Sequence, residues 1–581
     1  MIRLTAAAFQ AIALLLLTQA ALPPQDWPAT TPTIFIPLLL VSIYVPVLVM
    51  LGVTQLRPRQ LAIWAATATC ALLALGYHEA GRGTFVPNVH TILNGNALFP
   101  RFSFWFPVTI ALFIAHTLVV DSVNAWSITP DYRKHFDTAW KLGLQAALAA
   151  VFVGVFWAIL GLGAGLFNLV NLHGFSRLIA HDWFYEPATT LALALSIQAT
   201  DVQPALIRGT RSIVLALFSW LAPLLAAILA AFLLTLPFIS LQPLFKTHFA
   251  ASLLLTTALL LIFLINCCYQ DGAEERAANT VKRIAASLGA VEILPCSILA
   301  ITAITLRVHQ HGWTVARIEA AMIAFVALCY GIGYLAAVIP GAAWLKRLER
   351  TNLITAYVMV ALVLLINSTF ADPARLMVAS QLASLHSGEV PTDKFDFAAL
   401  HIEGARWGHD ALNDLAKREG PENQAIAKAA LAALSSQAHT RYPSGIAGAT
   451  PPPVTNEQLA TNITVFPAGR KLPDRLNADI PSGVARALLN SCANQHCVAQ
   501  YLTFVPHGRE ALLIIGPFSG SLLEQDATGK WSDTAQLNGN FFCSQTRDAV
   551  AAGQITMSEH PYPDILIGTE RFTIQAPRGC K

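Results

Sequence analysis

From residue 1 to about 370 the chain is a succession of long apolar runs joined by short polar loops, and from Ala371 to Lys581 it turns polar. One water-soluble core cannot absorb that many consecutive apolar runs. Hydrophobic residues make up 55% of the chain and charged residues only 12%, with a mean hydropathy of +0.54. A soluble domain carries about twice that charge. The expected fold is mainly α: a polytopic transmembrane helix bundle with a small carboxyl-terminal α+β extracytoplasmic domain. The lipid bilayer is the first partner. A net charge of +3 over 581 residues gives nucleic acid nothing to bind.

A helix needs roughly 20 apolar residues to cross the hydrocarbon core. About eleven segments qualify: Leu4–Ala21, Ile34–Val53, Leu61–Tyr77, Phe102–Val120, Leu142–Phe167, Trp183–Ala199, Ile213–Ile239, Phe249–Cys268, Ala285–Leu306, Ile318–Ile339 and Leu353–Phe370. The sixth is the weakest, because Glu186 and Asp201 crowd its short apolar heart, and a re-entrant or tilted segment is its rival reading.

Basic loop residues set orientation. With the amino terminus inside, Arg3, Arg57, Arg59, Arg133, Lys134, Lys141, Arg208, Arg211, Arg276, Lys282, Arg283, Lys346, Arg347 and Arg350 fall on the cytoplasmic side. Only Arg82, Arg101, Arg177, Lys246, Arg307 and Arg317 fall opposite. Eleven crossings then place everything after Ala371 outside the cytoplasm. The first segment also reads as a signal peptide, with Thr18-Gln19-Ala20-Ala21 at its small-residue end. The polytopic context favours a retained helix, and cleavage leaves the exported side unchanged.

Four parts follow: a bundle over 1–370, a helical exported neck over 371–440, a Pro/Gly linker over 441–455 and a small domain over 456–581. In the neck, Ala374–Leu385 and Ala405–Leu434 have helical spacing. In the small domain, Cys497–Val505, Ala511–Gly516 and Phe572–Gln575 read as strands, with a turn at Gly529. Cys492, Cys497, Cys543 and Cys580 are disulfide candidates in three connectivities. A zinc site from Cys492, His496, Cys497 and Cys543 lacks the paired Cys-x-x-Cys spacing, so no metal or other cofactor is expected.

Glu292 lies about nine residues beyond Arg283, roughly 13 Å into the membrane at 1.5 Å per residue. A carboxyl at that depth costs about 2.5 kcal/mol or more on insertion scales and marks a partner or a wet cavity. Pro295 next to it frees a carbonyl. A proton or cation site competes with a neutral interhelical hydrogen bond. His116, about a turn from Asp121, offers a proton shuttle or a solvated histidine. Asn266 and Asn367 read as interhelical hydrogen-bonding residues.

Two outer loops hold His78, Glu79, Arg82 and His90, and His173, His181, Asp182 and Glu186. Together they could bind a metal or form an acid–base pair, but nothing in their spacing demands it. Gly154, Gly161, Gly163, Gly165, Gly331 and Gly333 suit close helix approach. Pro46, Pro223, Pro237 and Pro295 hint at broken helices. There is no nucleophile elbow, phosphate loop or dinucleotide fingerprint.

Several short strings recur in order near span ends: Asn266-Cys-Cys-Tyr269-Gln270-Asp271-Gly272, Leu306-Arg307-Val308-His309-Gln310-His311-Gly312 and Leu348-Glu349-Arg350-Thr351-Asn352. They continue with Asp372-Pro373-Ala374-Arg375, Gln381, Lys394-Phe395-Asp396, Leu400 and Gly404-Ala-Arg406-Trp407-Gly408. Over about Trp140 to Lys417 the chain resembles the uncharacterised bacterial polytopic membrane proteins called domain of unknown function 4153. The first hundred residues and the last domain resemble them less. The resemblance implies an inner-membrane protein with a periplasmic tail and brings no catalytic residues.

Three functions fit these residues. An envelope scaffold or signalling protein presenting a domain to a periplasmic or membrane protein partner fits best. A proton- or cation-coupled transporter using Glu292 is the alternative, and a membrane enzyme using the outer loops on a lipid-linked substrate is the third. Enzymatic activity is the least supported.

Overall fold

The computed structural model describes residues 1–22, 25–83, 100–125, 127, 129–170, 172–238, 249–272, 279–339, 344–392, 395–418, 420, 423–434, 459, 461–467, 469–473, 475–480, 488–489, 492, 497–502, 511–516, 520–525, 529–537, 565–567 and 570–572. His90, Cys543, Cys580, His496 and the proline linker lie outside them. The chain divides into two compact units, Met1–Ile446 and Ala447–Lys581.

The first unit is helical. Its elements are α1 (Ile2–Ala21), α2 (Pro32–Gly52), α3 (Pro58–Gly81), α4 (Phe102–Ala125), α5 (Tyr132–Leu169), α6 (Gly174–Ala180), α7 (Asp182–Val202), α8 (Pro204–Ser219) and α9 (Leu221–Thr235). They continue as α10 (Ala250–Tyr269), α11 (Thr280–His311), α12 (Val315–Val338) and α13 (Arg347–Ile366). The neck helices α14 (Pro373–His386), α15 (Phe397–Glu403), α16 (Ala405–Ala416) and α17 (Gln424–Leu434) belong to the same unit. Among the described residues, ten spans are long and apolar enough to cross a membrane.

The weak sixth segment is the 21-residue helix α7, which is not among those ten. Its placement makes up for its hydropathy. At one end Asp201 pairs with the buried Arg3 of α1, and at the other Glu186 accepts from Thr18 of α1. Arg3 to Thr18 and Glu186 to Asp201 are each fifteen residues, so α7 runs antiparallel beside α1 along most of its length. Both acidic residues that weakened the apolar run are therefore partnered.

The expected span Ile213–Ile239 corresponds to one apolar span, Ile207–Thr235, carried by two helices, α8 and α9, that meet at Trp220. Pro46 and Pro295 break nothing, since α2 and α11 continue through them. Pro223 lies in the first turn of α9, where proline fits, and Pro237 lies beyond its end. In α5 a side chain added at Gly154, Gly161 or Gly165 would meet open space, so packing does not require these glycines. Gly331 differs: its Cβ would stand 2.9 Å from the Leu294 Cα, so only glycine lets α12 lie so close to α11.

The largest core surrounds α11, which packs against α9, α10 and α12 through fully buried Ala290, Ile293 and Cys296. In the neck, the expected continuous helix Ala405–Leu434 is two helices, α16 and α17.

The second unit holds β1 (Ile463–Phe466), a short helix α18 (Leu476–Asp479), β2 (Cys497–Leu502), β3 (Ala511–Ile515), β4 (Gly520–Gln525), β5 (Trp531–Leu537), β6 (Ile565–Ile567) and β7 (Glu570–Phe572). The first five strands form a sheet in sequence order, β1 parallel to β2 and the rest antiparallel. Gly529, at φ +81°, makes the turn before Trp531. β3 is buried throughout: Leu512 and Ile514 face one cluster, Leu513 and Ile515 another. Of the last expected strand, Phe572–Gln575, Phe572 lies in β7 and residues 573–575 lie outside the described residues.

Cys492 and Cys497 form a disulfide. Closing so short a loop stabilises by about 2 kcal/mol. Cys492→Ser is expected to lower the stability of this unit by about that much, measured by urea unfolding of the full chain. A mutant as stable as the oxidised wild type would contradict it.

Candidate functional site

The densest buried charge lies where α3 ends and the neck begins. Asp372 is fully buried, and its Oδ2 accepts from Nη1 of Arg82 at 2.7 Å and pairs with Nε2 of His78 at 2.8 Å. Its Oδ1 accepts from the amide of Ala374 at 2.9 Å, capping α14. Glu79, 1% exposed, pairs with Arg101 at 3.4 Å and with Arg82 at 3.7 Å. The Arg82 carbonyl accepts from the amide of Arg406 at 2.8 Å, and the Arg406 guanidinium lies 4.6 Å over the Trp407 ring. Burial pulls the Arg82 guanidinium down from its usual value, as does nearby Arg101, while Asp372, Glu79 and Glu319 oppose that pull.

Two arginines face two carboxylates here, so charge balances out of water. Asp372 is shared by Arg82 and His78, and Glu79 by Arg82 and Arg101. The cluster ties α3 and α4 to the neck, 290 residues along the chain between Arg82 and Asp372. Further into the neck, burial pushes the Glu403 carboxyl up, opposed by Arg317 and reinforced by Glu319.

A second polar cluster joins the opposite ends of the helices. Asn266 of α10 donates to the Tyr334 hydroxyl at 2.7 Å, and that hydroxyl donates to Asn352 Oδ1 at 2.7 Å. Asn352 donates back to Asn266 Oδ1 at 2.6 Å and to the Tyr132 hydroxyl at 3.2 Å. One turn on, Tyr269 donates to Glu349 at 2.8 Å, and Glu349 pairs with Lys346 at 2.7 Å. Gln270 takes a positive φ of 56° and Gly272 one of 71°. A Cβ on Gly272 would crowd Glu349 Oε1 at 2.8 Å, so glycine is needed there twice over. Asp271 is buried beside it. Tyr334→Phe removes a buried hydroxyl shared by two half-buried asparagines and is expected to cost about 1–3 kcal/mol, read by thermal unfolding in detergent. No change would mean the asparagines find other partners.

The remaining strings also meet. Arg307 and Gly312 close α11, and Gly312 has a φ of 70°. Gln381 of α14 donates to the Trp313 carbonyl at 3.0 Å, packed against Gly312. Pro373 occupies the first turn of α14. Phe395 is buried edge-on against Phe397 at 4.8 Å, and Asp396 caps α15 through the Ala399 amide at 2.9 Å. A Cβ at Gly404 or Gly408 would strike the Leu400 carbonyl. These strings are joints between helices.

Among the described residues, no hydrogen bond or ion pair links His78 or Glu79 to His181, Asp182 or Glu186, and no group of three or more metal-ligating side chains occurs. His181 stands between α6 and α7, Asp182 opens α7, and His173 bonds Asn168 at 3.0 Å. His116 accepts from the Trp64 indole at 2.9 Å, while Asp121 pairs with His135 at 2.9 Å and Thr138 at 2.8 Å. Asn367 bonds the Val363 carbonyl one turn back in its own helix, not another helix.

Glu292 is 3% exposed in the middle of α11, and neither carboxyl oxygen meets a hydrogen-bond partner among the described residues. Cys296 lies one turn away on the same face. Of the ionisable side chains singled out from the sequence, this carboxyl remains unpartnered.

The fold is that of a multi-pass membrane protein whose polar clusters fasten helices together. Residues 11–404 match the family profile described as Domain of unknown function (DUF4153), and the chain belongs to that family. The match begins well before Trp140 and so takes in all but the first ten of the first hundred residues, where the likeness looked weak; Arg406 to Gly408 fall just beyond its end. Searches of curated proteins and of solved structures each returned no match.

Proposed function

We propose that this chain is a bacterial inner-membrane scaffold or signalling protein that presents its carboxyl-terminal unit to a partner protein in the periplasm. The reading rests chiefly on the buried joint of Asp372 with Arg82 and His78, which fixes the start of the neck to the bundle. A neck fastened in this way transmits position between membrane helices and whatever follows it. The orientation draws on the basic bias of the loops. Counting α7 with the ten apolar spans makes eleven crossings, which puts the carboxyl terminus opposite the amino terminus.

The test is complementation. In a strain lacking the gene, residues 1–446 alone are expected to leave the envelope-stress defect uncorrected while the full chain corrects it. Full correction by the truncated chain would sink the scaffold reading. A phosphatase fused after Lys581 is expected to be active in the periplasm.

A second reading, proton- or cation-coupled transport, is favoured by one observation, the unpartnered carboxyl of Glu292. Carboxyls at such depth belong to ion pathways as a rule. Equal complementation by Glu292→Gln and wild type would reject it.

A further inference from the structure

The geometry points to an anionic phospholipid site on the groove between the first turns of α11 and Trp344, with the phosphate held at Arg283 and one acyl chain lying along the helix. The inference does not depend on the scaffold or transport readings. The groove measures ≈ 600 Å³, within the usual range of small-molecule sites. Its α11 wall is a single stripe at helical spacing whose character changes along its length. Thr280 and Arg283 come first, then Ile284 and Ser287, then Leu288 and Val291. Val338 and Trp344 form the opposite wall.

That gradient is the profile of a lipid, polar at the membrane surface and apolar below. From Thr280 to Val291 the stripe rises about 16 Å at 1.5 Å per residue, roughly half of a ~30 Å hydrocarbon core. One leaflet has that depth. Ile284 is 63% exposed, and Leu288 and Val291 are each 40% exposed, so the apolar end is open to a chain.

The polar end is built for an anion. Among the described residues Arg283 pairs with no carboxylate; its guanidinium lies 4.9 Å over the Trp344 ring. Trp344 is fixed in turn, its indole donating to Ser287 at 3.1 Å. An aromatic platform under an arginine orients the guanidinium while leaving its N–H groups free to donate. The neighbouring Lys282 is engaged elsewhere, donating to Ser219 at 2.8 Å and lying 4.5 Å over Trp220. The amino-terminal end of α11 adds the positive pole of the helix. Tryptophan and arginine together are the residues that mark a headgroup layer.

The test uses the full chain purified in detergent, offered phosphatidylglycerol or phosphatidylcholine in mixed micelles, with bound lipid counted by native mass spectrometry. Wild type is expected to retain phosphatidylglycerol over phosphatidylcholine. Arg283→Ala should cut phosphatidylglycerol retention about fivefold, the worth of one basic side chain beside an anionic surface. Arg283→Lys should keep most of it, and Val291→Trp, which fills the apolar end, should lower it. Arg59→Ala, an exposed arginine in the first turn of α3, should change nothing. Equal retention of the two lipids, or an unchanged Arg283→Ala protein of native monodispersity, would overturn the proposal. So would displacement of phosphatidylglycerol by inorganic phosphate alone, which would mark a free-anion site without an acyl chain.

Discussion

Asp372→Ala is expected to destabilise the first unit by about 3–5 kcal/mol, the cost of removing one partner from a buried ion pair. Two effects add. Arg82, 3% exposed, loses its 2.7 Å partner, is left with the longer 3.7 Å contact with Glu79 and the field of Glu319, and cannot regain water. The first turn of α14 loses the acceptor for the Ala374 amide, worth about 1 kcal/mol. The measurement is thermal unfolding of the full chain in detergent, with trypsin cleavage within residues 373–434 as a local readout. Asp372→Asn keeps an oxygen for the cap and should lose less. The pair Asp372→Leu with Arg82→Met should recover much of the loss, because apolar side chains of similar size replace a buried pair at little cost. A single mutant as stable as wild type would show that Asp372 is hydrated, and the joint between bundle and neck would lose its physical basis.

How much of this was legible in the sequence depends on the range of the interaction. The spans were legible because twenty apolar residues in a row state their own solvent. The strings ending in Gly272 and Gly312 were legible as span ends, and both glycines take a positive φ there, 71° and 70°. The α7 helix was harder to read: Glu186 and Asp201 look like liabilities until Thr18 and Arg3 are seen opposite them. Nothing local announces that Arg82 will meet Asp372, or that Tyr132, Tyr334 and Asn352 will close around Asn266. Such contacts exist only once distant helices have packed. His78 and Glu79 were noticed for their chemistry, but chemistry alone could not say that Asp372 and Arg101 would occupy them. The strings that marked the family came closer, because each contains residues that fit only one neighbour. Gly408 against the Leu400 carbonyl is such a case.

Glu292→Met is expected to act in the opposite sense to Asp372→Ala and raise the stability of the bundle by about 2 kcal/mol. Both carboxyl oxygens lack partners among the described residues, and the side chain is surrounded by the apolar packing of α11. Methionine has a similar length and no polar atom to desolvate, so the burial cost of the carboxyl disappears while its volume is kept. Glu292→Gln is the control: the amide is equally short of partners and should gain far less. The measurement is again thermal unfolding in detergent, now paired with complementation of the deletion strain. A more stable protein that fails to complement would mean that the carboxyl is kept at the expense of stability, as expected of a membrane-embedded ion or proton site. A more stable protein that complements fully would leave the scaffold reading alone standing. Loss of stability in Glu292→Met would contradict the expectation outright, since it would require a partner that holds the carboxyl in place.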